Sequence, residues 1–505
     1  MSLIRSSLLV GLGAALSRVL GFARDVLFAQ ALGAGPVADA FLAAFRLPNL
    51  VRRITGEGGL NPALVPVLSR LRPEEAAKVS GDVLTVFALA LLALAGLVEV
   101  GAGFIAFLLA PGLRDEGTLA LVALYTRLGF PMVLGVTLSS IGAALLNLRG
   151  HYRVTAVAPL VVNGGLIATA LALEAGSARP LAEKAAWLAA ATSASGLGQL
   201  AIVAAAVLRA GDLVAFRRPR WSPFLRSLLL AGIPAIVASG AVQLFILTGT
   251  QIASFWPAGI SWLYYADRVM QLPLGLMAAL AAGVLLPDLA LKHQAGEEAA
   301  LAAAQDRALE LALLMALPAA AALVVLSGPI ASVLFERGAF TAADASGTAQ
   351  VLASLSLGLP FATAAKVLSQ ILFARGRLRA TLAATLAGIV VTAGAALLLG
   401  PALAMPGIAL GVSLGCLVQA LVLVWDLRRS GLWRPGPALG RRLARIALAC
   451  AAMAAGLTGA LALSPAPGPV ALAGMCLGGL AVYGLAARLT GALTRDDVAL
   501  LTKNT

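Results

Sequence analysis

Apolar residues dominate this chain in long runs, and polar ones gather in short clusters between them. A membrane-crossing helix needs about 20 consecutive apolar residues, and runs of that length recur from end to end. Bounded by Gly, Pro and charge clusters, fourteen candidate spans emerge: 7–32, 37–69, 82–111, 118–147, 154–174, 185–208, 224–252, 259–291, 308–335, 345–373, 381–400, 404–426, 443–463 and 468–488. The second and eighth are long and interrupted by Pro48 and Pro273, which predicts kinked or tilted helices there. Arg5 before the first run resembles the start of a signal peptide, but no small-residue cleavage site follows, so this run is read as span one.

Composition agrees. Hydrophobic residues make up 60% of the 505 and charged ones only 12%, against about 25% charged in soluble domains. The three cysteines lie in apolar runs with no paired spacing, and the two histidines fall in connectors. Neither set predicts a disulfide or a transition-metal centre.

Charge then orients the spans. With the N-terminus inside, the tail and inside connectors, with Arg226, Arg445 and Arg488 at the inside ends of their spans, hold 25 of the 37 Lys and Arg, and the outside connectors hold four: Arg114, Arg179, Lys184 and Arg337. This asymmetry follows the positive-inside rule and places both termini on the cytoplasmic side. The net charge of +14 therefore reflects topology, and predicts no nucleic-acid partner.

Eight basic residues remain within spans: Arg18, Arg24, Arg46, Arg52, Arg53, Arg127, Arg268 and Lys366. Arg127 and Lys366 can snorkel to headgroups. The others crowd into spans one, two and eight, and charges in a membrane interior turn inward, toward partners or water. Asp39, Arg46 and Arg53 are spaced by seven and share a helix face, and Glu57 is four residues beyond Arg53. Two readings stay open: a lined cavity, or an internal salt-bridge network that joins helices. Six arginines (18, 24, 46, 52, 53 and 268) stand against Asp25, Asp39, Glu57 and Asp267, a surplus that favours an anionic ligand. Arginine forks match phosphate oxygens well. The run from Arg46 through "LPNL" to "LVPVLSR" is echoed by Arg268 through "LPLG" to "LLPDLALK", which points to two homologous halves of about six spans plus a final pair.

Five blocks carry a wider resemblance: "SRVLGFARDVLFAQALG" at 17–33, "ADAFLAAFRLPNLVRRITGEGGLNPALVPVLSR" at 38–70, "LYYADRVMQLPLG" at 263–275, "VLFERGAFTAADA" at 333–345 and "KVLSQILFARG" at 366–376. In order and spacing they resemble the MurJ/MviN family of lipid II flippases, within the multidrug/oligosaccharidyl-lipid/polysaccharide exporter superfamily. The resemblance implies an all-α polytopic fold of 14 transmembrane helices. Its parts are an N-lobe over 1–210, a C-lobe over 211–430, and a final pair with a cytoplasmic tail over 431–505 that lines a groove for the lipid tail. It implies a cationic cavity between lobes that opens to alternate sides, and passage of undecaprenyl-diphosphate-linked peptidoglycan precursor to the outer leaflet of the bacterial cytoplasmic membrane. Matching positions put Arg24, Arg52 and Arg268 on the diphosphate, Arg18 in the cavity, and Asp39, Arg53 and Glu57 in supporting or gating places. Asp25 is expected to hold an arginine when the site is empty.

The chain departs from some relatives in one respect. Their sodium site uses acidic and amide residues on spans seven, eleven and twelve, yet here the corresponding runs contain no Asp, Glu or Asn. Membrane potential or a bound anion such as chloride is the expected drive, with no cofactor. Lipid II, membrane lipids and the division or elongation machinery are the expected partners. Competing classes are a related exporter of drugs or another lipid-linked sugar, a membrane glycosyltransferase or polymerase, and a non-transporting member of a division complex.

Overall fold

A computed structural model of the chain describes residues 3–52, 68–69, 71, 73–176, 179–210, 242–280, 298–375, 377–433, 435–494 and 497. Every regular element among them is a helix. They divide into two compact units: Met1–Gly240 with Pro257–Ser261 and Arg337–Thr341, and Ala241–Trp256 with Trp262–Glu336 and Ala342–Thr505.

In the first unit the helices are α1 (Leu3–Leu32), α2 (Pro36–Arg52), α3 (Pro73–Val100), α4 (Ala102–Leu109), α5 (Glu116–Gly129), α6 (Met132–Leu148), α7 (Tyr152–Ala175) and α8 (Leu181–Arg209). Small residues let backbones meet, which substitutes for the hydrophobic drive that lipid does not provide. A Cβ on Gly13 of α1 would lie 2.6 Å from the Ala156 carbonyl oxygen of α7, and one on Gly135 of α6 only 2.3 Å from that of Gly196 in α8. α1 accordingly runs along α7, and α6 along α8.

The segment 337–341 belongs to this unit although it follows from far along the chain. Its Ala339 N–H donates to the Gln30 carbonyl at 2.8 Å. Gly33 (φ +66°) and Gly338 (φ +59°) face the opposite backbones, with room for a Cβ at neither: 2.4 Å to the Ala339 oxygen and 2.5 Å to the Gln30 oxygen. Left-handed backbone and close approach together require glycine at both places.

The second unit contains α9 (Val242–Ala253), most of α10 (Gly259–Leu280), α11 (Glu298–Val325), α12 (Ser327–Phe335), α13 (Ala342–Ser356), α14 (Leu359–Ala374), α15 (Leu378–Arg429), α16 (Pro437–Leu463) and α17 (Pro469–Leu489). α15 holds sequence spans eleven and twelve, folded over at Ala404, whose φ of 52° and ψ of −135° are not helical. α14 and α13 pack on α15, and α11 packs on α14 and α16.

The polytopic all-α architecture expected from the apolar runs is present. Eight described helical stretches, one of them α5 and α6 taken together, are long and apolar enough to cross a membrane, or nine if α13 and α14, bent by 43°, form one span. Sequence spans two, seven and eight run partly into residues outside those described. Helix continues through Pro48 in α2 and Pro273 in α10. The bend between α13 and α14 falls between Ser356 and Leu359, in span ten.

Candidate functional site

Arg24 and Asp25 sit two-thirds of the way along α1, and both are buried, with 4% and 1% exposure. An unpartnered charge there would be very costly, so its partners decide whether the site is viable. Arg24 Nε and Nη2 both donate to Asp25 Oδ1, at 3.0 and 2.7 Å. Nη1 donates to Asn163 Oδ1 of α7 at 3.0 Å. The guanidinium also lies 5.5 Å from the Phe28 ring centroid and 5.1 Å from that of Phe45, within cation–π range. Asn163 is itself anchored, since Nδ2 donates to the Ser17 carbonyl at 3.0 Å. Ser17, Arg24 and Phe28 recur at helical spacing on one face of α1, which is why a single α7 amide reaches two of them.

From Phe45 the contacts continue along α2. Asn49 Nδ2 donates to the Phe45 carbonyl at 3.1 Å, and Arg52 Nε donates to Asn49 Oδ1 at 3.4 Å. Arg52 is half-buried, and Arg18 is exposed on α1. Asp39, 1% exposed in the first turn of α2, accepts from Ser261 N–H at 2.8 Å and Ser261 Oγ at 2.5 Å. The positive end of the helix favours a carboxylate at that place.

The second unit holds a similar assembly on α10. Arg268 Nη2 donates to Asp267 Oδ2 at 3.1 Å, and its guanidinium lies 4.8 Å from the Tyr264 ring centroid. Gln271 Nε2 donates to the same Asp267 oxygen, and Asp267 is 1% exposed. Each unit thus presents an arginine paired with its neighbouring aspartate, an aromatic face against the guanidinium, and a carboxamide in attendance.

Of the residues expected from sequence, the first unit holds Arg18, Arg24, Asp25, Asp39 and Arg52, with a continuous path of contacts from Arg24 to Arg52. The second holds Arg268. Arg53 and Glu57 lie outside the described residues. Sequence reasoning missed Asn163, Ser17, Ser261, Gln271 and the aromatic faces. Only Asn163 carried a readable signal, as the one carboxamide in the apolar run 154–174.

An all-helical chain with many spans, buried arginine–aspartate pairs and two packed units is the architecture of a multi-span membrane transporter. The family described as "Lipid II flippase MurJ" matches residues 28–473. A probable lipid II flippase MurJ of Rhizobium meliloti (strain 1021) is 38% identical over 466 residues, covering 90% of this chain and 86% of the relative. The lipid II flippase MurJ of Burkholderia cenocepacia is 31% identical over 448 residues, covering 86% of each. The chain belongs to the MurJ family of lipid II flippases. Its fold resembles that of a solved lipid II flippase MurJ in an inward closed conformation, with a TM-score of 0.78 and 22% identity over 95% of this chain and 98% of that one. An inward-facing multidrug transporter of the MATE family is more distant, with a TM-score of 0.66 and 16% identity over 82% of this chain and 95% of that one.

Proposed function

We propose that this chain moves lipid II from the inner to the outer leaflet of the bacterial cytoplasmic membrane, with Arg18, Arg24, Arg52 and Arg268 binding its diphosphate. The observation that carries the reading is Arg24: a fully partnered, nearly buried guanidinium inside a chain that matches the flippase family along most of its length. A diphosphate offers several anionic oxygens, which suit the planar fork of arginine. Asp25 neutralises Arg24 while no ligand is present, and an incoming diphosphate competes with it for the guanidinium. Asp267 stands in the same relation to Arg268.

In this reading transport proceeds by alternating access. A ligand shifts such an equilibrium only by binding the two states unequally, and an arginine that exchanges its carboxylate for a phosphate supplies that inequality. Asp39 supports the cavity through its hold on Ser261, and Arg53 and Glu57 take part in gating. The N-lobe spans 1–210 and the C-lobe 211–430; the final pair, 431–505, accommodates the polyprenyl tail. Both termini are cytoplasmic, no cofactor is used, and membrane potential or a bound anion such as chloride resets the cycle. Membrane lipids and the division or elongation machinery are its further partners.

The decisive experiment depletes the protein in its own cells and quantifies lipid II on each face of the cytoplasmic membrane. Accumulation on the inner face, cured by wild type but not by Arg24→Ala or Arg268→Ala, is the expected result. No accumulation, or cure by both variants, overturns the reading.

A further inference from the structure

α11 contains Pro318, and proline has no N–H to give to the carbonyl four residues earlier. That carbonyl belongs to Leu314, and in a membrane an unfilled backbone acceptor is costly. It is not left unfilled. Tyr483 of α17 donates its hydroxyl to the Leu314 oxygen at 2.6 Å in a buried contact. The ring packs in an apolar cluster with Leu314, Ile446, Cys450, Met453 and Leu457, so the hydroxyl is held in place by its surroundings.

The same stripe of α11 is tied down further along. Asp306, Glu310, Leu314 and Pro318 follow one another at intervals of four and so share one helix face, which spans about 18 Å. Asp306 accepts from the Trp433 indole N–H at 2.6 Å and from Gly436 N–H at 3.1 Å, in the connector before α16. Glu310 accepts from Arg442 of α16 at 2.7 Å. Asp497, fully buried beyond α17, pairs with both Arg442 and Arg307. Thr494 caps that turn, with N–H and hydroxyl each 2.7 Å from Asp497 Oδ2. Two arginines meet two carboxylates, so the cluster is neutral and each charge has a partner.

We propose that the C-terminal helix pair, with Thr494 and Asp497, forms a brace for α11: Tyr483 fills the gap at Pro318, while the cluster of Arg307, Glu310, Arg442 and Asp497 fixes the portion before it. The final pair is then mechanically part of α11. Any motion of α11 carries α16 and α17 with it, and the tail residue Asp497 belongs to the working structure. This inference concerns the chain's mechanics, so it holds or fails whatever the cargo.

Hydrogen exchange of the full chain in lipid nanodiscs, followed by mass spectrometry, tests it in a double-mutant cycle. Tyr483→Phe should accelerate exchange of the α11 amides around the proline by about fivefold, the equivalent of one hydrogen bond. In a Pro318→Ala background the Leu314 oxygen regains a backbone donor, so Tyr483→Phe should have no further effect there. Asp497→Asn should accelerate exchange around residues 306–310 as well as in the first turns of α16. Equal effects of Tyr483→Phe in both backgrounds would overturn the role assigned to the hydroxyl. Wild-type exchange of α11 in Asp497→Asn would overturn the clamp.

Discussion

Ser261 gives both its backbone N–H and its hydroxyl to one oxygen of Asp39, at 2.8 and 2.5 Å. The two residues are 222 positions apart in sequence, yet the segment ending at Ser261 packs in the same unit as α2. Hydrogen bonds to a buried carboxylate are each worth about 1.5–3 kcal/mol. Ser261→Ala should therefore lower thermal stability in detergent modestly, because the N–H bond survives. Asp39→Ala loses both bonds and strands two donors, and should cost at least twice as much. Equal shifts in melting temperature for the two variants would contradict this.

Asn163 should matter to transport as much as some charged residues do. Asn163→Ala removes the acceptor for Arg24 Nη1 and the tie to Ser17. Flipping measured by the leaflet distribution of lipid II should fall about tenfold, in line with a lost hydrogen bond to a charged group. Asn163→Asp keeps the shape but adds a second anion beside the guanidinium, and should weaken binding of a diphosphate probe further. Wild-type transport in both variants would leave Arg24 without need of its amide.

Gly33→Ala and Gly338→Ala should each destabilise the first unit by more than the about 1–2 kcal/mol that left-handed backbone alone costs an alanine. The added methyl would sit 2.4–2.5 Å from a carbonyl oxygen in both cases. Gly164→Ala is the control, since nothing lies within 4 Å of its Cβ position and the helix benefits from alanine. Thermal unfolding of the three purified variants should separate the first two sharply from the third.

Ala404→Gly should stabilise the chain by about 1 kcal/mol. Alanine at φ 52° and ψ −135° bears a strain that glycine does not. The gain would be seen as a raised melting temperature with unchanged transport. A lower melting temperature would mean that the methyl contributes packing that outweighs the strain.

Sequence revealed the broad architecture because lipid imposes it. Apolar length marks spans, and the basic asymmetry gives an expected orientation. It marked Arg24, Asp25, Asp39 and Arg268 as unusual for the same reason, since charge is rare inside membranes. What these groups touch was not legible. Arg24 meets Asn163 across 139 positions, and Asp39 meets Ser261 across 222, pairings that only the packed fold creates. The fold-over at Ala404 falls at the connector expected between spans eleven and twelve, with Pro401 and Pro406 on either side. The bend within span ten was missed, although Gly358 and Pro360 stand at it. Pro48 and Pro273 pointed to kinked or tilted helices, and α2 and α10 remain helical through them.

Arg24 and Asp25, held 2.7 Å apart, form an electrically neutral body. A transmembrane field exerts no net pull on such a pair. An arginine released from its carboxylate would feel about 2.3 kcal/mol for each 100 mV it crosses. The pairing therefore acts as a switch for charge movement. Rearrangements that keep the pair together should draw no charge movement from it in a capacitance or gating-current recording, and a cycle in which the two part should add to the signal of the other arginines.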